Sequence, residues 1–256
     1  MTSLWGRSDE LLQKLDAARA RGVDVTADVY PYTYWQSTMR VLVPDGNFTR
    51  EQVGFALREV ALPDGIIFGR FTPEPSYVGL TLEEIALERE EDAVTAYLAL
   101  LDMAYGPDAP DDVRESIVAR SMKEEDIAGL YQWAHTNVSS DGELAGPHPR
   151  GYGSFTRVLR TQVREDGMLS LEEAVYRMTG LAAEHMGIVD RGVIREGAWA
   201  DLVLFDPEMV TDHADFESPQ LASTGIHGVW VNGVQVWDID SVVQSAYPGQ
   251  VLRRGG

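Results

Sequence analysis

The chain predicts an α/β architecture: helix–turn–strand units over most of its length, then a short all-β piece. Three observations carry this. Residues 8–32 read as a helix, a glycine stop and an alternating strand. A β-prone run ending at Ser140 delivers Asp141 to Gly142, and a loop holding His148-Pro149-Arg150 leads into another helix. Beyond Gly187 the helical spacing gives way to short β segments.

In order, Ser8 is placed to cap the first helix, with Asp9 and Glu10 in the first turn, where the helix dipole favours negative charge. Leu11, Leu12, Leu15 and Ala18 form its apolar stripe, and Gly22 stops it. Val23, Val25, Ala27 and Val29 then alternate with polar residues in a strand ending at Tyr30-Pro31-Tyr32. From about 33 to 78, Pro44-Asp45-Gly46, Pro63-Asp64-Gly65 and Pro73-Glu74-Pro75 mark turns in an insertion with small elements of its own. Thr81-Leu82-Glu83-Glu84 is a capping-box pattern, so a helix is expected from there to Tyr105, before Gly106-Pro107. Further helices are expected over 111–121, 124–134 and 154–165, and from Ser170 through Met178. Ala200 to Pro207 reads as a strand, and Val229 to Trp237 as a hairpin on an Asn232-Gly233 type I′ turn.

Composition narrows the function. A length of 256 residues allows one large domain or two smaller ones, and 44% hydrophobic with 24% charged residues is ordinary for a globular protein. The net charge of −20 argues against a nucleic-acid partner, since binding phosphates needs a basic surface. No run of about 18 apolar residues predicts a membrane span. The N-terminus has no apolar signal core, so a cytoplasmic location is expected. With no cysteine there are neither disulfides nor thiolate ligands.

The candidates for chemistry are few. At a strand end, Asp141 reads equally as a metal-ligating acid or as a turn residue before glycine. Arg150 has the planar fork that grips a carboxylate, or it pairs with one of 41 acidic residues. Tyr30 and Tyr32 stand where a hydroxyl donates to an oxyanion, or where aromatic rings simply pack. Asp28 belongs to the site or to a structural network. His148 stays ambiguous; His135, His185, His213 and His227 are poor ligand candidates by position. Phosphate-loop and serine-elbow patterns are absent.

Several segments together resemble the N-acyl-D-amino-acid deacylases (D-aminoacylases) of the amidohydrolase superfamily. They are Asp28-Val29-Tyr30-Pro31-Tyr32, Ser140-Asp141-Gly142, the stretch from His148-Pro149-Arg150 to Phe155, Leu171 to Thr179, Asp190 to Val203, and Val231-Asn232-Gly233. The resemblance covers nearly the whole chain. It implies the C-terminal part of a (β/α)8 amidohydrolase barrel over 1–190, with an insertion after strand seven at about 33–78, and part of a small β-sandwich over 191–256. The strand at 23–32 is then similar to strand seven and that at 136–141 to strand eight. By the same resemblance Asp141 is general base and metal ligand, Arg150 holds the substrate's α-carboxylate, and Tyr30 steadies the tetrahedral intermediate. Ser37 is similar to a substrate-contacting serine, on a spacing from Tyr32 one residue longer than the family pattern. The implied cofactor is zinc and the implied partner a small N-acyl-D-amino acid. The family's His-x-His pair, bridging ligand and strand-five and strand-six histidines lie upstream of this chain. It is therefore expected to be inactive alone, as a truncated or internally started frame or one half of a split enzyme, with a separate N-terminal half or self-association as the further partner. A non-catalytic partner-binding module, a decayed relative, or another amide or cyclic-amide hydrolase are the alternatives.

Overall fold

A computed structural model describes residues 1–43, 46–239, 241–243 and 247–253. Of the expected Pro44-Asp45-Gly46 turn, Pro44 and Asp45 lie outside the described residues. The architecture is α/β, with a parallel strand pair, a three-stranded antiparallel sheet and a four-stranded antiparallel sheet. No helix among the described residues is long and apolar enough to cross a membrane.

Helix α1 (Ser8–Ala20) forms where expected and ends before Gly22, whose φ of +87° only glycine adopts freely. Its cap differs from the expectation. Ser8 lies inside the helix, and the N–H groups of Gly6 and Ser8 donate to Asp126 at 2.9 and 3.2 Å. A carboxylate from a distant helix thus does the work assigned to Ser8.

The strand expected over 23–32 is shorter: β1 spans Ala27–Val29. It pairs in parallel with β5 (Thr136–Val138), Val29 opposite Val138. Both valines are buried with Ile127, Tyr131, Val158 and Leu159 in one of two cores. Parallel neighbours far apart in sequence need a crossover, supplied here by residues 30–135.

That crossover is a folded unit. Strands β2 (Tyr34–Ser37), β3 (Ile66–Phe71) and β4 (Glu115–Arg120) form an antiparallel sheet in the order β2-β4-β3. Helices α2 (Met39–Leu42), α3 (Arg50–Glu59), α4 (Leu82–Glu88) and α5 (Ala93–Tyr105) bury Met39, Leu57, Phe68, Ile85, Tyr97 and Leu100 around the second core. The unit runs on to Arg120, beyond residue 78. The helix expected over 111–121 is instead β4, central in the sheet and buried from Ser116 to Ala119. The long helix expected from Thr81 is two. The capping box at Thr81 and Glu84 is present, but the chain breaks at Glu90 (φ 55°), and Asp92 starts α5 by accepting two backbone N–H groups.

Helix α6 (Glu124–Gln132) precedes β5. Helix α7 (Arg150–Val158) starts earlier than expected, at Arg150 itself, and widens into a π-helix over Leu159–Glu165. Helices α8 (Leu171–Met178), capped by Ser170, and α9 (Gly180–Met186) follow. The last sheet orders β6 (Leu202–Phe205), β7 (Ile226–Val231), β8 (Val234–Asp238) and β9 (Ser241–Val242). Its Asn232-Gly233 turn has φ of 50° and 80°, the type I′ geometry.

Candidate active site

The two parallel strands end side by side. Ser139 N–H donates to Val29 O at 3.0 Å, carrying the pairing one residue past β5. Tyr30 and the Ser140–Asp141–Gly142 turn therefore emerge at the same C-terminal mouth. Asp141 has φ of 47°, the left-handed region that aspartate tolerates in turns. Gly142 then passes against Gly151 so closely that a Cβ on it would lie 2.3 Å from the Gly151 Cα. This close approach docks the start of α7 onto the Asp141 turn.

The docking brings Arg150 to Asp141. Arg150 Nη2 lies 2.9 Å from Asp141 Oδ2; the arginine side chain is 7% exposed and the aspartate 68%. Arg150 Cζ stands 4.9 Å from the centre of the Tyr30 ring, a cation–π distance. Its Nε is buried and finds no partner among the described residues. Burial pushes the Tyr30 phenol above its usual range, against the charge and hydrogen bond of Arg150. Asp141, Arg150 and Tyr30 therefore form one cluster: an acid facing solvent, a buried cation and a protonated hydroxyl.

Ser37 ends β2 opposite Ile117, and no hydrogen bond joins it to this cluster among the described residues. Its neighbour Gln36 lies against Gly146, in the loop leading to His148. Asp28 proves to be part of a structural network. It accepts from Asn137 Nδ2 at 2.9 Å, and Asn137 Oδ1 stands 2.9 Å from His185 Nδ1. Tyr32 points away into α7, its hydroxyl 2.5 Å from where a Cβ on Gly153 would be, and burial pushes its phenol up to about 12. His135 packs on Trp133 at the opposite end of β5, and His213 bonds Thr224.

The residues here do not fit a zinc site by themselves. Among the described residues no three His, Cys, Asp or Glu side chains converge, and a hydrolytic zinc needs about three protein ligands.

A family model described as "Amidohydrolase family" matches residues 84–237. Across 99% of this chain, the N-acyl-D-glutamate deacylase of Alcaligenes xylosoxydans xylosoxydans is 39% identical, and the match takes up 46% of that protein. This chain belongs to the amidohydrolase family. Among its relatives are N-acyl-D-amino-acid deacylases, and it corresponds to their C-terminal part. The N-acyl-D-aspartate deacylase of the same organism is 52% identical over 136 residues, which make up 52% of this chain and 27% of that protein. The crystal structure of N-acyl-D-glutamate deacylase from Bordetella bronchiseptica, complexed with zinc and a phosphonate mimic of the tetrahedral intermediate, superposes with a TM-score of 0.79 at 37% identity. That match covers 97% of this chain and 47% of the other. The amidohydrolase chain thus spans about half the length of the relatives it matches.

The feature that sequence reasoning left open is His148. It is buried between the cluster and the three-stranded sheet, with both ring nitrogens bonded to backbone. No sequence signal marks it, because the helix it caps is expected to begin only at Ser154 and begins at Arg150.

Proposed function

We propose that this chain supplies the carboxylate-binding and proton-moving groups of an N-acyl-D-amino-acid deacylase. The supporting observation is the single cluster of Asp141, Arg150 and Tyr30 at the shared mouth of β1 and β5. In this reading residues 1–190 are part of the barrel, with the unit built on β2, β4 and β3 inserted after strand seven. Residues 191–256 are part of the small β-sandwich.

The reaction adds water across an amide, breaking the C–N bond to give a carboxylate and a free D-amino acid. Arg150 binds the substrate's α-carboxylate, which displaces Asp141 from the guanidinium. Once released, Asp141 takes a proton from the attacking water and passes it to the leaving nitrogen. Tyr30 keeps its proton at neutral pH as any phenol does, burial raising it further, and donates to the oxyanion. Asp141 would be the one ligand these residues offer to a zinc of the kind the family uses, which would activate the attacking water. The names of two relatives point to an acidic D-amino acid, glutamate or aspartate, as the acylated substrate, while a third is a D-aminoacylase.

The test is turnover of N-acetyl-D-glutamate by the chain assembled with the complementary half of a deacylase. D141A lowers kcat by at least about 100-fold, the loss expected for a general base. R150A raises KM about 10- to 100-fold, the worth of a charge-assisted pair. Full activity in D141A overturns the reading. A second reading, a partner-binding module, has one observation in its favour: edge strand β6 exposes Leu202, Val203 and Leu204 to solvent.

A further inference from the structure

We infer that His148 is the positioning residue for Arg150, holding the first turn of α7 so that the guanidinium reaches the mouth of β1 and β5. The inference rests on Arg150 being the carboxylate-binding group. It concerns a side chain that touches neither Asp141 nor the reacting atoms in the proposed mechanism.

The first N–H groups of a helix have no partner within it. Helix α7 begins at Arg150, and Pro149 before it offers no side-chain acceptor. His148 fills the gap: its Nδ1 accepts the Arg150 N–H at 3.1 Å. A ring nitrogen accepts only through its lone pair, so the proton of the neutral ring sits on Nε2. That nitrogen stands 2.9 Å from the carbonyl oxygen of Tyr34 and donates to it. Both nitrogens are used, and none is left for a metal or for proton transfer.

Three aromatic rings pack against the imidazole. It meets Tyr32 at 5.2 Å and 88°, Phe216 at 5.3 Å and 75°, and Tyr30 at 6.1 Å and 71° between centroids and planes. Tyr30 therefore touches both the imidazole and, at 4.9 Å, the Arg150 guanidinium. The loop before His148 is fastened to the antiparallel sheet. Gly69, at the irregularity in β3, has no Cβ where Pro147 packs; a Cβ there would lie 2.5 Å from that ring. Arg70 donates to Ala145 O at 3.0 Å. The 34–120 unit thus holds the loop, and His148 transmits that hold to the arginine. Burial and the Arg150 charge push the imidazole down to about 4 against the Tyr34 bond, which agrees with a neutral ring.

The experiment is NMR of the isotope-labelled chain at pH 7, comparing wild type, H148A, H148N and H148Q. The His148 signals, identified by their absence in H148N, should show a neutral ring protonated on Nε2. Asparagine places an acceptor near the Nδ1 position, whereas glutamine reaches only towards Tyr34. Exchange of the Arg150 amide hydrogen should quicken about tenfold in H148A and H148Q, and return towards wild type in H148N. The Arg150 Nε–H resonance, shifted by the face of Tyr30, should follow the same order, while amides of the second core stay unchanged. A charged ring, an Nδ1-protonated ring, or Arg150 exchange unaltered in H148Q overturns the inference. If H148A does not fold, the wild-type tautomer and H148Q decide. None of these readouts needs turnover, so they stand even if Arg150 proves not to bind a substrate carboxylate.

Discussion

Replacing Asp212 with asparagine should loosen the seat of the helix that carries Arg150. Asp212 is 3% exposed and accepts from Arg160 Nε at 2.6 Å, Arg160 Nη2 at 3.3 Å and Arg157 Nη1 at 3.4 Å. Arg157 also donates to Pro31 O at 3.0 Å, just beyond β1. The substitution leaves two guanidinium groups, 29% and 23% exposed, without their shared counter-charge. Breaking a fully buried pair costs about 3–5 kcal/mol. Because both arginines keep partial contact with water, about 2–3 kcal/mol is expected here, or roughly a 5–10 °C fall in Tm for a chain of this size. Burial raises the Asp212 carboxyl, but the Arg160 hydrogen bonds and the charges of Arg160 and Arg157 prevail and hold it below its ordinary value. A depressed carboxyl stabilises the fold above its unfolded pKa and loses that contribution as pH falls through the folded one. Scanning calorimetry of wild type and D212N should therefore show a constant gap from pH 7 to about pH 5, closing below about pH 4. A Tm within about 1 °C of wild type at pH 7, or a gap that widens in acid, would refute this account of the cluster.

His148 predicts acid sensitivity of the same sign in a higher pH window. With its folded value near 4 and an unfolded value of about 6.5, its contribution is complete above about pH 6.5 and is lost towards pH 4. H148N should remove roughly 2–3 kcal/mol of that pH dependence in urea unfolding at pH 7 and pH 4.5. G142A forces a Cβ onto Gly151 and should cost about 1–3 kcal/mol, read as a lower urea midpoint with an unchanged slope. Y30F should lower kcat of the assembled enzyme about 100-fold with little change in KM, because the hydroxyl acts on the oxyanion and not on the bound substrate.

Where local rules decided the structure, the sequence was readable. The stop at Gly22, the Ser170 cap and the Asn232-Gly233 turn each depend on a few neighbouring residues, and each formed. The mouth of β1 and β5 was readable for the same reason, since a strand end followed by Asp141-Gly142 marks where its side chain emerges. Strand β4 was not. Residues Ser116 to Ala119 are buried on both faces, so the alternation that marks a half-buried strand is missing. The cap of α1 is not legible at Ser8 because Asp126, 118 positions away, supplies it. His148 stayed ambiguous because its role depends on the Tyr34 carbonyl, 114 positions away. Long-range partners of this kind leave no periodic trace in a single sequence.

The most direct test of the central claim is zinc content and N-acetyl-D-glutamate turnover of the purified chain, alone and with the N-terminal half of an N-acyl-D-glutamate deacylase added as a separate polypeptide. The account predicts metal and turnover with the added half, turnover lost in D141A, and neither with the chain alone. Stoichiometric zinc and full turnover by the chain alone, or full turnover by the assembled D141A enzyme, would contradict it.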